Sequence, residues 1–361
     1  MNSVTPVTRR RRKKRGGKTA VMVILSVFFV LASVGCIFGF LLYFHQKQET
    51  AQAMLRMGEM EKLQEALFTQ EQLEEHGIRE REALLQEMQK MVEEGATTLT
   101  VLQHFFPDQV VVSGDGKYHF FPILDHLAKH EFREENFVYP VKNEASGDYE
   151  GELTYQLPDG SYARKGIDVS RFQGEIDWRR VAGDGIEYAF IRLGYRGYES
   201  GKIVLDSEYE YNIEGSLDAG IDTGVYFFTE ALTEREAEEE AEFVIENLRG
   251  YDITMPVVID VEESSNPTKT RTKELTQEQR TKNVIAFCER IREAGYQPMI
   301  YGNLKSFMLM MDIEQLEAYD KWFAYYRYPF HFPYKIRFWQ HTASGRVSGI
   351  PGDVDLNLMF Y

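Results

Sequence analysis

Residues 255–265 read MPVVIDVEESS. Met255 to Ile259 is apolar throughout, and Asp260 and Glu262 follow with one valine between them. A strand built for a core gains nothing from carboxylates at its end, because an unpaired buried charge is costly. Along a strand, residues i and i+2 share a face, about 6–7 Å apart. The two acids should therefore face the same place, and the fold decides which place that is.

Outward from this stretch the pattern is regular. From Lys165 onward, short apolar runs alternate with helical ones. KGIDVS, YAFIRLGY, DTGVYFFT, MPVVIDVE, QPMIYGN, KWFAYY, KIRFWQH and DVDLNLM predict strands. EREAEEEAEFVIENLRG and TKNVIAFCERIREAGY predict helices between them. In the second helix Val284, Phe287, Cys288 and Ile291 form one apolar stripe, which makes Cys288 a core residue rather than a nucleophile. Strands alternating with helices imply parallel strands. Eight strands in about 195 residues predict an α/β fold, an irregular (β/α) barrel over residues 165–361 with some helices shortened or absent.

In such a barrel the active site lies at the C-terminal ends of the strands. Asp168 ends the first strand, Asp260 and Glu262 end the fourth, and Asp355 lies in the last. Four acids should thus converge on one rim. Crowded carboxylates repel, so at least one should keep its proton near neutral pH. A protonated carboxyl beside an ionised one is the arrangement glycoside hydrolysis uses. A Mg²⁺ or Ca²⁺ site is the rival chemistry, since oxygen-rich clusters suit those ions. The absence of histidine near the motif disfavours zinc. The plainest alternative is that the acids cap turns and helices. Aromatics favour sugar: Trp178, Trp322 and Trp339 all fall in this region, with Tyr226, Tyr301, Tyr325, Tyr326 and Trp339 on or at the ends of strands.

The ordered set KGIDVSRFQGEIDW, IRLGYRG, GVYFF, PVVIDVE, AFCERIREAGYQPMIYGN, WFAYY and FWQHTASGRVSGIPGDVDLN resembles glycoside hydrolase family 25, the lysozymes of the Chalaropsis type. The resemblance covers residues 165–361 and none of residues 1–164. It implies cleavage of the β-1,4 bond between N-acetylmuramic acid and N-acetylglucosamine in peptidoglycan, in a long groove, with no cofactor or metal. On the matching positions it implies Glu262 as general acid. Asp260 is implied as the partner that orients the substrate N-acetyl group or stabilises charge, and Asp168 and Asp355 as the other two acids. Tyr226, Tyr301 and Trp339 fall at positions that line the sugar groove, with Tyr326 beside them. Two departures stand out: His341 where the family usually has tyrosine, and the long polar loop EESSNPTKTRTKELTQEQ after the D-x-E pair. A non-catalytic peptidoglycan-binding module is the rival reading of the same resemblance.

The N-terminal part reads differently. The 361-residue chain carries 41 basic and 57 acidic residues, and eight of the basic ones lie in residues 1–18, which contain no acid. Without those eight, 33 basic residues face 57 acidic ones, which argues against a nucleic-acid partner for the main body. Residues 19–44, TAVMVILSVFFVLASVGCIFGFLLYF, are uncharged and long enough to span a bilayer. The basic run before them predicts a cytoplasmic N-terminus, with residues 45–361 outside a single-pass cell-membrane anchor. A cleaved signal peptide would have a shorter apolar core and a small-residue cleavage site. Residues 32–36, ASVGC, only faintly resemble a lipoprotein box.

Residues 45–98 predict a helical stalk. The seams Met60–Leu63–Leu67 and Leu84–Met88–Met91 would serve either a solvated helix or a parallel coiled-coil homodimer through residues 46–95. Residues 99–164 predict a small α+β accessory unit and linker. FFPDQVVVSGDGKYHFFPI is a hairpin around Gly114-Asp115-Gly116, and LDHLAKHEFREE reads as a short helix. His126 and His130, four apart in that helix, lack the HExxH frame of a zinc site. Cys36 and Cys288 are the two cysteines, and their settings forbid a disulfide between them.

Overall fold

The computed structural model describes residues 17–67, 70–142, 149–264, 266 and 268–361. The basic tail 1–16, part of the linker (143–148), and Ser265 and Pro267 of the polar loop lie outside them. The chain divides into two compact units, Met1–Lys90 and Met91–Tyr361.

In the first unit α1 (Gly17–Leu67) is one 51-residue helix, and α2 (Gln70–Glu93) begins after it. Among the described residues α1 is long and apolar enough to cross a membrane. Met22, Leu25, Phe28, Leu31, Phe38 and Phe44 on it are exposed in the chain alone. Met60, Leu84 and Met88 of the stalk seams are exposed too.

The second unit starts with α3 (Thr98–Phe105) and the antiparallel pair β1 (Gln109–Gly114) and β2 (Lys117–Pro122). Asp115 and Gly116 between them have φ of 51° and 74°, the left-handed conformation that a two-residue hairpin turn requires. Short pairs follow: β3 (Phe137–Val138) with β6 (Thr154–Tyr155), and β4 (Val141–Lys142) with β5 (Tyr149–Glu150).

LDHLAKHEFREE is not a helix. Its backbone pairs elsewhere: Lys335 N–H donates to Ala128 O at 2.8 Å and His130 N–H to Pro333 O at 3.2 Å. Ala128 N–H goes to Glu317 Oε1 at 3.0 Å and Leu124 N–H to Tyr334 Oη at 3.1 Å. Tertiary partners take the groups a helix would have used. The side chains follow suit: His126 meets Glu314, and His130 stacks on Phe132.

All eight strands expected from Lys165 onward form one closed ring. They are β7 (Arg164–Val169), β8 (Tyr188–Arg196), β10 (Asp222–Phe228), β11 (Val257–Asp260), β12 (Pro298–Asn303), β13 (Asp320–Ala324), β14 (Phe338–Gly345) and β15 (Val354–Met359). A short β9 (Ile203–Leu205) hangs on the end of β8. Pairing runs parallel from β7 through β8 and β10 to β14. The strand β15 is antiparallel to both its neighbours, β14 and β7, which corrects the expectation of parallel strands throughout. The cause is the link 346–353, too short for the dozen or more residues that a parallel crossover needs.

Helices cover the ring: α4 (Trp178–Gly183), α5 (Tyr209–Asp218), α6 (Glu234–Asn247) and α7 (Gln277–Glu293). Thr233 and Thr276 cap the last two, accepting from Glu236 N–H and Gln279 N–H. The α7 stripe Val284, Phe287, Cys288 and Ile291 is fully buried. Only a π-helical turn, Ser306–Met310, precedes β13, and no helix separates β13 from β14.

Two cores result. The outer one lies between ring and helices and also takes in Val110, Val112, Leu127, Phe137 and Tyr155 from the segment before the barrel. The inner one plugs the ring with Tyr188, Phe190, Val258, Met299, Trp322 and Phe338, Phe190 stacking on Trp322 at 4.6 Å. Gly166 on β7 makes room for this plug, since a Cβ there would sit 2.2 Å from the Tyr188 ring.

Candidate active site

Above the plug, the next inward-facing residues are polar. Alternation sets this: Gly166 then Asp168 on β7, Val258 then Asp260 on β11, Phe338 then Gln340 on β14, Asp355 then Asn357 on β15. Asp168 and Asp355 are directly opposite across the β7–β15 pair, and Asp260 is opposite Tyr301 on β12. Because β15 runs antiparallel, Asp355 near its N-terminus lies at the same end as the C-terminal ends of β7 and β11. Glu262 lies two residues beyond Asp260.

A hydrogen-bonded scaffold holds Asp168. Gln340 Nε2 and Asn357 Nδ2 both donate to Asp168 Oδ2 at 2.8 Å. Gln340 Oε1 accepts from Tyr301 Oη at 2.7 Å and Tyr326 Oη at 2.6 Å, and Asn357 Oδ1 accepts from Trp322 Nε1 at 2.7 Å. Apart from half-exposed Tyr326, every donor in this chain belongs to a buried residue. Asp260 is the opposite case: it is 4% exposed, and its Oδ1 has no hydrogen-bond partner among the described residues.

The electrostatics follow from crowding and burial. Burial raises Asp168 to about 6, aided by Glu262 and opposed by the Asn357 and Gln340 donors. Glu262 rises to about 7 through burial and the nearby Asp355, and Asp355 to about 8 through burial and Asp168. Asp260 is pushed well above the carboxylate range by burial, Glu262 and Asp168. Arg192 on β8 pulls it the other way, but Arg192 is itself engaged by Asp206 at 2.6 Å. The four acids therefore act on one another, and at neutral pH at least one retains a proton. Such a cluster can both donate a proton and carry negative charge beside it. Among the described residues no three of His, Cys, Asp and Glu are placed to hold a metal ion.

The aromatic positions separate. Tyr301 is buried in the inner core, and Tyr226 is half-buried against it, 6.1 Å from Trp322. Tyr226 feels the charges of Asp168, Asp260 and Asp355, and half-exposed Tyr326 feels Asp355, Asp168 and Glu262. Trp339 is not brought to the rim, which corrects its expected place along a groove. It is fully buried in the outer core, packs on Phe330 at 4.7 Å, and donates Nε1–H to Tyr325 O at 2.7 Å. Its neighbour Gln340 takes the inward place. His341 also faces outward, buried, 3.3 Å from Tyr328 Oη, and burial holds it neutral at about 3, so this substitution leaves the rim untouched.

Gln340, Asn357 and Arg192 were missing from the expected site. The signal was present for the first two: each lies two residues from an inward residue on the same strand. A surface cavity of about 820 Å³ lies between α4, α5 and residues 347–351, and no rim acid lines it.

The family model of glycosyl hydrolases family 25 matches residues 167–350. An uncharacterized Escherichia coli protein, YegX of strain K12, is 31% identical over 206 residues, which is 55% of this chain and 70% of that protein. Lysozyme M1 of Streptomyces globisporus is 28% identical over 204 residues, 54% of this chain and 66% of that one. Among solved structures, a bacterial lysozyme from Streptomyces coelicolor aligns with a TM-score of 0.46 at 24% identity, over 55% of this chain and 92% of its own.

Proposed function

Because the chain belongs to glycosyl hydrolases family 25 and is therefore a glycoside hydrolase, we propose that it is an N-acetylmuramidase that cleaves the β-1,4 bond between N-acetylmuramic acid and N-acetylglucosamine in peptidoglycan. The observation that carries this reading is the rim itself: four mutually repelling acids, one with a buried oxygen that lacks a donor.

In this mechanism Glu262 holds its proton near pH 7 and gives it to the glycosidic oxygen as the bond breaks. Asp260 Oδ1 accepts from the acetamido N–H of the muramic sugar. That bond turns the acetamido carbonyl toward the anomeric carbon, where it displaces the leaving sugar. Glu262, now ionised, takes a proton from the water that opens the cyclic intermediate. Asp168, fixed by Gln340 and Asn357 and with the lowest pKa of the cluster, supplies the negative charge that favours the developing oxocarbenium ion, with Asp355 beside it. Tyr226, Tyr301 and Tyr326 border the sugar.

Residues 19–44 anchor this enzyme in the cell membrane with the basic tail inside. The stalk 45–98, as a monomer or a parallel dimer, holds the barrel outside near the wall it remodels. The test is product identity. Detergent-purified full chain on isolated peptidoglycan should release reducing ends on muramic acid, and Glu262→Gln should release them about 10²–10⁴-fold more slowly. Glucosamine reducing ends, or wall binding without product, would overturn the reading.

A further inference from the structure

The family match begins at residue 167, yet a segment far upstream packs on residues beside the rim. The β1–β2 turn packs on the residues that follow β12. Gly114 is so close to them that a Cβ there would lie 2.6 Å from Leu309 Cδ1 and 3.7 Å from Lys305 Cε. Lys305 Nζ is 2.5 Å from Glu263 Oε1 and 3.9 Å from Asp115 Oδ1. The base of Lys305 is fixed as well, its N–H donating to Asn303 Oδ1 at 2.9 Å.

Glu263 directly follows Glu262. The strand β11 has already ended, and Val261 N–H bonds Tyr301 O at 3.0 Å. Glu262 thus lies between that backbone bond and the Glu263–Lys305 pair. A part-exposed ion pair adds little to stability. Its worth here is where it holds the chain.

We propose that Lys305 is a positioning residue for Glu262: through Glu263 it tethers the backbone just past the acid, and the Gly114–Asp115 hairpin tip keeps Lys305 in place. This rests on the reading of Glu262 as proton donor. Lys305 touches no substrate. It sets the reach of the carboxyl that does, and a displacement of about 1 Å is enough to slow such chemistry about 100-fold. The rim therefore depends on β1 and β2, which lie outside the family match.

The test uses the detergent-purified full chain carrying K305M, E263Q, both together, or K305R. One readout is kcat and KM on peptidoglycan fragments. The other is hydrogen exchange at the amides of residues 261–264, which needs no turnover. Each single variant should lose about 10- to 100-fold in kcat with KM within about two-fold. K305R should recover most of the loss, and the double variant should be no worse than either single one. Exchange at 261–264 should quicken while the β7 amides stay unchanged. Unchanged kcat, additive losses in the double variant, or unchanged exchange at 261–264 would each overturn the tether. A wild-type chain that yields no reducing ends would sink the muramidase reading instead, and exchange would then decide the tether alone.

Discussion

Two groups of buried acids lie in the same barrel and differ in one respect. Glu240 on α6 is fully buried, yet it receives Arg196 Nε and Thr229 Oγ1, each at 2.6 Å. Arg196 also donates to Gly201 O and Glu236 O, so it staples the β8–β9 turn to α6. Asp206 is likewise buried and takes Arg192 at 2.6 Å. The rim acids have hydrogen bonds at most, and no salt bridge to a cation forms among their described neighbours. Burial raises Glu240 to about 7 even with its arginine in place, a value like that of Glu262. A raised pKa therefore does not tell structure from chemistry here. The missing counter-ion does.

That contrast can be broken by substitution. Glu262→Gln removes the proposed proton donor and should lower kcat by about 10²–10⁴-fold with folding intact, measured by reducing-end release against circular dichroism. Arg196→Met strands Glu240 without its cation and should cost about 3–5 kcal/mol in denaturant unfolding. Equal stability of the two variants would erase the distinction between the groups.

Asp260→Asn removes a buried carboxyl that no cation pairs with and that burial forces to hold a proton. It should raise the thermal midpoint by about 2–4 °C while activity falls, a stability gain that a paired acid would not give. The pH dependence sharpens the same point. A carboxyl whose folded pKa exceeds its unfolded one favours the fold while protonated. For the rim that contribution is complete below the ordinary carboxylate range. It is lost as pH rises through about 6, 7 and 8, the values of Asp168, Glu262 and Asp355. Unfolding free energy should therefore decline across that window, and kcat/KM should show an alkaline limb near the pKa of Glu262. The smallest effect belongs to Tyr326→Phe. It removes one of two phenol donors to Gln340 and should slow turnover by about 10-fold or less, with no change in the thermal midpoint beyond about 1 °C.

Much of this was legible in the residues. Apolar runs between helical patterns located all eight ring strands and α6 and α7, because burial on both faces of a strand writes itself as a continuous apolar run. Gly116 marked the hairpin turn, and the D-x-E pair marked the rim. The rest depended on choices that residue type does not record. A tryptophan suits either face of a strand, and a one-residue difference in facing moved Trp339 outward and gave Gln340 the inward place. The helix expected at 124–135 lost to partners 189 and 210 residues away in the chain, Glu317 and Tyr334. Strand direction in β15 followed from the length of a loop.

That last strand has a bearing on when the enzyme comes into being. Asn357 and Asp168 are hydrogen-bonded although 189 residues apart, and both β7 and β14 wait on β15 for an edge partner. Ring closure is thus the event of longest loop entropy in the barrel, and the rim is assembled by the same event. A nascent chain that has folded through β14 holds Asp168, Asp260 and Glu262 but neither Asp355 nor the Asn357 donor. The proposed catalytic rim is therefore complete only when the barrel is.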